Sequence, residues 1–250
     1  MTGITWEALN DEVMSLYRQG DYDRALVVAK KALLVIEQAE GPNHPSVATS
    51  LNALAQLYRT QRQYVHAESL YKQALAIRTK TLGPEHLDVA MILSDLAELY
   101  RIQGQNEQAE QLCKRALAIK EKALGPNHPS VATSLNNLAG IYFTKGRYAQ
   151  AGPFFKRALT IREKALGPEH LSVATSLNNL AGLYDAIGQY EQAEPLYQRA
   201  FAIWEKTLGP DHPRMATIFE NLAQFYRKTG WKKAAQEFEK RAAAIRAIKR

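Results

Sequence analysis

A Gly-Pro-x-His segment returns along this chain every 42 residues, beginning at Gly41, Gly83, Gly125, Gly167 and Gly209. The run Ser130–Gly140 recurs letter for letter as Ser172–Gly182. No other feature restricts the fold as strongly. One such unit cannot bury its own apolar face, so a fixed period of this size means that neighbours stack and share a continuous core.

Each copy is framed by helix signals. Gly then Pro ends one helix, because Gly tolerates a left-handed cap and Pro cannot continue the spiral. A second Pro, at Pro45, Pro129 and Pro213, suits the first turn of the next helix, and Leu87 and Leu171 replace it in the other copies. In the copy that starts at Gly125, Leu135, Leu138, Ala139 and Tyr142 fall at i, i+3, i+4, i+7, one face of a helix. Thr133, Asn137, Gly140 and Thr144 point almost the opposite way. This helix therefore has a packing face and a small, polar, uncharged outer face. After the turn Lys145-Gly146-Arg147 comes a second helix, with Tyr148, Ala151, Phe155, Ala158, Leu159 and Arg162 along its stripe. The Ala positions let helices approach closely, and the aromatics fill the gaps between pairs.

The Leu-x-x-Leu-Ala-x-x-Tyr helix followed by Ala-x3-aromatic-x2-Ala resembles the tetratricopeptide repeat. The matching positions in the second copy are Leu51, Leu54, Ala55, Tyr58, Ala67, Tyr71 and Ala74, and Cys113 takes the aromatic position of the third. The family's Trp in the first helix (helix A) is Leu51, Leu93, Leu135, Leu177 or Phe219 here, and its closing Pro is Thr79, Glu121, Glu163 or Glu205. The second helix (helix B) is then free to run on to the next Gly. This longer form resembles the repeats of kinesin light chain. The resemblance implies an all-α, right-handed superhelical solenoid of helix-turn-helix repeats, with the A helices lining the concave side. It also implies a non-enzymatic, protein-binding role. No heptad region of the kind those light chains use to join a motor occurs in this chain, so motor attachment is not expected of it.

The expected layout is a single array over 1–250. It has a degenerate first repeat at 1–40, full repeats at 41–82, 83–124, 125–166 and 167–208, and a last repeat with a capping helix at 209–250. Twelve helices in six antiparallel pairs result. The A helices fall near 45–60, 87–102, 129–144 and 171–186, the B helices near 64–82, 107–124, 149–166 and 191–208. Pro153 and Pro195 should sit in the first turns of their B helices, bending rather than breaking them.

No apolar run approaches the 18 or so residues of a membrane span. The N-terminal stretch is acidic and amphipathic, unlike a signal peptide. The single Cys113 forbids an internal disulfide and suits a reducing, cytoplasmic compartment. The net charge of +7 is concentrated in residues 227–250, which hold nine Lys or Arg against two Glu. That last hairpin is either a solvated cap or a docking surface for an acidic partner. The rest of the array is balanced, which argues against nucleic-acid binding.

Catalytic and metal chemistry find no constellation. His44, His86, His128, His170 and His212 recur, but neighbouring copies stand roughly 10 Å apart. Zinc needs its ligands at about 2.1 Å. These histidines read as loop or helix-start residues, and His66 as a surface singleton. No G-x-S-x-G, H-E-x-x-H or phosphate-loop motif occurs. Cys113 lies on a packing stripe, as a small hydrophobe. No cofactor is expected.

What remains is the outer face of the A helices, read in columns. One column is Glu7, Thr49, Met91, Thr133, Thr175, Thr217, and the next is Asp11, Ala53, Asp95, Asn137, Asn179, Asn221. Then come Met14, Gln56, Glu98, Gly140, Gly182, Gln224, and at the far edge Arg59, Arg101, Phe143, Asp185, Arg227. A carboxamide both donates and accepts, so an Asn column can grip the backbone of an extended peptide whatever its side chains. In peptide-binding tetratricopeptide domains an Asn at this position does so, and Asn137, Asn179 and Asn221 match it. The expected peptide-binding set adds the adjacent Asn52, Asn136 and Asn178, with Asp95. Met91 and Phe143 would supply apolar contact, and Arg59 and Arg101 would take acidic residues. Gly140 and Gly182 would clear space for the ligand. A plainer alternative is that the asparagines hydrogen-bond between neighbouring helices. The rival function is a structural spacer or self-assembling module that contacts partners through its end helices.

Overall fold

The computed structural model describes residues 5–248. Met1–Ile4, from the stretch expected to form the first repeat, and Lys249 and Arg250, two of the nine cations counted in residues 227–250, lie outside the described residues. Twelve α-helices and no strands occur among the described residues. The first three pairs are α1 (Trp6–Gln19) with α2 (Tyr22–Glu40), α3 (Pro45–Thr60) with α4 (Tyr64–Leu82), and α5 (Leu87–Ile102) with α6 (Asn106–Leu124). The remaining three are α7 (Pro129–Thr144) with α8 (Tyr148–Leu166), α9 (Leu171–Ala186) with α10 (Tyr190–Leu208), and α11 (Pro213–Lys228) with α12 (Lys232–Ile248). These form two compact units that meet in sequence at Pro126 and Asn127, the first holding α1–α6 and the second α7–α12.

Small residues set the spacing inside every pair. Ala25, Ala67, Ala109, Ala151 and Ala193 are fully buried, and Ala235 nearly so. Each lies 42 residues from the next. A larger side chain there would force the helices apart, since interiors are packed to crystal-like density. Where the tetratricopeptide pattern has Trp, Leu93, Leu135, Leu177 and Phe219 are fully buried. Burying each of these in place of exposure contributes about 1.5–3 kcal/mol.

The B helices α4, α6, α8 and α10 run 19 residues each, to the Gly that ends them. With Thr or Glu at the family's closing-Pro position, they run on to the Gly-Pro that stops them. Gly83, Gly125, Gly167 and Gly209 have φ of 82–88° and ψ of 155–158°. This is the extended positive-φ region reserved for Gly, not the left-handed helical cap that the sequence suggested. Pro153 and Pro195 lie inside α8 and α10, past the first turn expected for them.

The recurring histidines start the A helices. The Nδ1 of His44, His86, His128, His170 and His212 accepts the backbone N–H two residues on, at 3.0–3.3 Å. The imidazole nitrogen thereby takes the acceptor role usual for the Ser or Asp oxygen at a helix N-cap.

Neighbouring repeats are stitched by polar contacts that repeat with the sequence. The hydroxyl of Tyr100 donates to Glu68 at 2.9 Å, and three repeats later that of Tyr226 donates to Glu194 at 3.2 Å. Arg199 reaches Glu163 at 2.6 Å, and Arg241 reaches Glu205 at 2.8 Å. Cys113 is buried, and desolvation pushes its thiol up to about 12, so it behaves as core.

Candidate functional site: the outer faces of the A helices

The helical period turns Leu135, Leu138 and Ala139 of α7 into the core and leaves Asn136, Asn137 and Gly140 half-exposed. On α9, Leu177, Leu180 and Ala181 are buried while Asn178, Asn179 and Gly182 stay half-exposed. On α11, Asn221 is exposed.

Within the second unit the asparagines are not equivalent. Asn179 donates its side-chain amide to Asn136 Oδ1 at 2.9 Å, one repeat earlier. No described residue hydrogen-bonds to the side chains of Asn137, Asn178 or Asn221. The Asn137 and Asn221 carboxamides therefore keep all their donors and acceptors.

Within the first unit, Asp95 takes the place of the column asparagine. Its Oδ2 accepts from Asn52 Nδ2 at 3.3 Å and from Gln56 Nε2 at 3.2 Å. Burial pushes the Asp95 carboxyl above the usual carboxylate range. The two amide hydrogen bonds and the charges of Arg59 and Lys120 pull the other way without cancelling it. Asn52 leaves its Oδ1 buried without a hydrogen-bond partner.

The remaining residues of the expected set differ in availability. Met91 stands 58% exposed on α5, an open apolar contact. Phe143 leans on Tyr148, with ring centroids 5.4 Å apart. Arg101 is held by Glu98 through two 2.7 Å hydrogen bonds along its own helix. Arg59 is half-exposed and makes no ion pair with any described residue. A Cβ on Gly140 would meet nothing within 4 Å, and one on Gly182 would lie 3.6 Å from the Tyr197 hydroxyl. Neither helix packing nor backbone angle demands glycine at these two places.

One column escaped the sequence reading as a site. Arg78, Lys120 and Arg162 recur at the 42-residue spacing on the B helices, where Trp204 continues them. Arg78 donates to Thr49 Oγ1 at 2.7 Å, and Lys120 to Ser94 Oγ at 3.1 Å. Arg162 donates to Ser176 Oγ at 2.8 Å, to the Ser172 carbonyl at 3.3 Å and to Thr133 Oγ1 at 3.3 Å. Lys120 and Arg162 are buried, and desolvation lowers the pKa of both. The available signal was a cation standing at a packing-stripe position and returning with the period.

Among the described residues no cluster of three or more His, Cys, Asp or Glu could hold a metal ion. No helix described is long and apolar enough to cross a membrane.

Sequence comparison finds the tetratricopeptide repeat in five overlapping matches, over residues 7–80, 61–122, 88–164, 130–206 and 186–247. No curated protein sequence matches significantly. Among solved structures, the nearly identical TPR-like repeats of a Podospora anserina protein described as a kinesin light chain are similar at 29% identity. Their TM-score is 0.69, over 80% of this chain and 95% of that one. BtubC (BKLC) from P. vanneervenii is similar at 26% identity and a TM-score of 0.72, over 96% of this chain and 92% of its own. A Rap protein complexed with competence and sporulation factor shares the fold at 17% identity and a TM-score of 0.70, over 99% of this chain and 76% of that one.

Proposed function

The chain belongs to the tetratricopeptide repeat family, and from that membership we propose that it is a non-enzymatic scaffold for a partner protein. An extended segment of the partner lies in a concave groove lined by the A helices, the six repeats of 1–250 acting as one array. The observation that carries this reading is the pair of unpartnered carboxamides on Asn137 and Asn221. Each can donate to a peptide carbonyl and accept from a peptide N–H. Asn179 retains one N–H and its Oδ1 beyond the bond to Asn136, and Asn178 is open beside it. Asn52 and Asn136 extend the polar track. Asp95 and Arg59 supply charge, Met91 and Phe143 apolar contact, and Arg101 joins only by exchanging Glu98 for a ligand carboxylate. The basic last helix adds a surface for an acidic partner. The buried thiol fits a reducing compartment, the cytoplasm.

The test is a peptide-library selection on the purified chain beside an Asn137→Ala, Asn221→Ala variant, with thermal unfolding to verify the fold. Peptides enriched on the parent and lost from the folded variant support the groove. Enrichment that survives both substitutions, or none at all, sinks it.

A second reading has an observation of its own. The Asn179–Asn136 and Asn52–Asp95 contacts are inter-helix bonds, of the kind a purely structural module would use. Such a module would contact its partners through α1 and α12. End-helix substitutions would then abolish assembly while groove substitutions left it intact.

A further inference from the structure

Each unit carries a crevice at the same place in its repeats, where the end of one B helix faces the starts of two A helices. The two crevices are built from opposite chemistry. In the first unit Arg78 occupies the floor. It donates to Thr49 Oγ1 at 2.7 Å and pairs with Asp88 on the lip at 3.4 Å. What is left open measures about 170 Å³. Three repeats on, Trp204 stands where Arg78 stood and Arg214 where Asp88 stood. The opening there is about 490 Å³.

The double replacement leaves the second crevice with an apolar floor and a cationic lip. Trp204 is packed against the cores of two successive repeats, which fix its ring. Leu171, Leu208 and Ile218 complete the apolar walls. Arg214 is exposed, and no carboxylate of the described residues lies within ion-pair distance of it. One repeat earlier the position of Trp204 is taken by Arg162, whose bonds to Ser176 and Thr133 tie it down. A volume of this size falls within the roughly 300–1,000 Å³ of small-molecule sites, which are mostly apolar with a few placed polar groups.

We propose that the Trp204 crevice binds a compact apolar group bearing one carboxylate, the apolar part against the indole and the carboxylate on Arg214. The inference stands independently of the peptide groove. Two sources carry this chemistry: a free aryl or alkyl carboxylic acid, and the C-terminal residue of a peptide with an apolar side chain.

The protein holds three Trp, so a Trp6→Phe, Trp231→Phe background leaves Trp204 as the sole indole reporter. Titration with phenylacetate, 4-phenylbutyrate and octanoate should give a saturable change in Trp204 emission, with Kd on the order of 1 mM or tighter. The matching primary amides should bind about tenfold more weakly. Arg214→Asp lies on the surface and restores the lip residue of the first unit. It should erase the preference for acid over amide and favour the corresponding amines. Trp204→Arg, followed by ligand-observed NMR, should abolish binding in a protein that still unfolds cooperatively. A Phe-terminated peptide binding at least about tenfold tighter than phenylacetate, and losing that advantage on C-terminal amidation, would identify a chain end as the source. Equal or weaker binding would identify the free acid. No saturation by any of the acids to about 20 mM, or a preference for acid that survives Arg214→Asp, overturns the proposal.

Discussion

The side-chain amide of Asn179 donates to Asn136 Oδ1 across 2.9 Å, joining α9 to α7 through two residues that came from one duplicated dipeptide. The same dipeptide leaves Asn137 and Asn178 without a partner. Copies with identical letters have therefore taken different physical roles. Asn136→Ala and Asn179→Ala should each cost about 0.5–1.5 kcal/mol of stability. The double variant should cost less than their sum, because the two share one bond. Asn137→Ala and Asn221→Ala should stay within about 0.5 kcal/mol of the parent. Denaturant unfolding of the set distinguishes these outcomes. Equal costs at all four sites would remove the distinction between inter-helix and free asparagines.

Asp95 predicts an unusual response to pH. Burial holds its carboxyl pKa above the ordinary value in the folded state. The unfolded chain thus gives up the proton first as pH rises, and an ionised Asp95 opposes folding at neutral pH. Asp95→Asn keeps an acceptor for Asn52 and Gln56 and removes the charge. It should stabilise the protein by on the order of 1 kcal/mol at pH 7. That advantage should shrink as pH falls through the interval between the folded and unfolded pKa values and vanish below the unfolded one. A constant difference from pH 7 to pH 3 would contradict the assignment.

Gly140 sits in the interior of α7, where a Cβ would touch nothing. Gly140→Ala should therefore stabilise the protein by about 0.5–1 kcal/mol. If the groove holds a peptide against this helix, the added methyl should weaken binding of any selected peptide. A gain in stability with unchanged affinity would place the ligand elsewhere.

Arg62 is the one non-glycine with positive φ among the described residues, at 60°. The corresponding turns of later repeats use Gly104, Gly146, Gly188 and Gly230. A left-handed backbone costs a non-glycine residue about 1–2 kcal/mol, partly offset by glycine's greater entropy loss on folding. Arg62→Gly should raise stability by about 0.5–1 kcal/mol, read as a rise in Tm. A loss would mean that the Arg side chain contributes more than its backbone costs.

Much of the fold was legible because its causes are local or periodic. The four full-length A helices fall at the residues the sequence indicated, since a His cap, a Pro or Leu start and a polar turn bound each one. The B helices begin one residue early at Asn106, Tyr148 and Tyr190. No side chain caps them, so nothing in the letters marked the boundary. The outer-face columns were also readable, because 100° per residue assigns each position to a face.

What each column residue does was not readable, for it depends on distances between neighbouring helices. Asn136 and Asn178 are the same residue in the same local sequence, yet only Asn136 accepts a bond from the next repeat. Arg78 and Trp204 hold one position of the period, yet their crevices differ in charge and in volume. By itself the sequence determined the repeat, its helices, their buried alanines and the face each residue occupies, because these follow from backbone geometry and apolar period. Only the tertiary structure decided which polar groups were consumed between helices and which were left unpaired. Hydrogen bonds act over about 3 Å, and that separation is set by how the repeats pack.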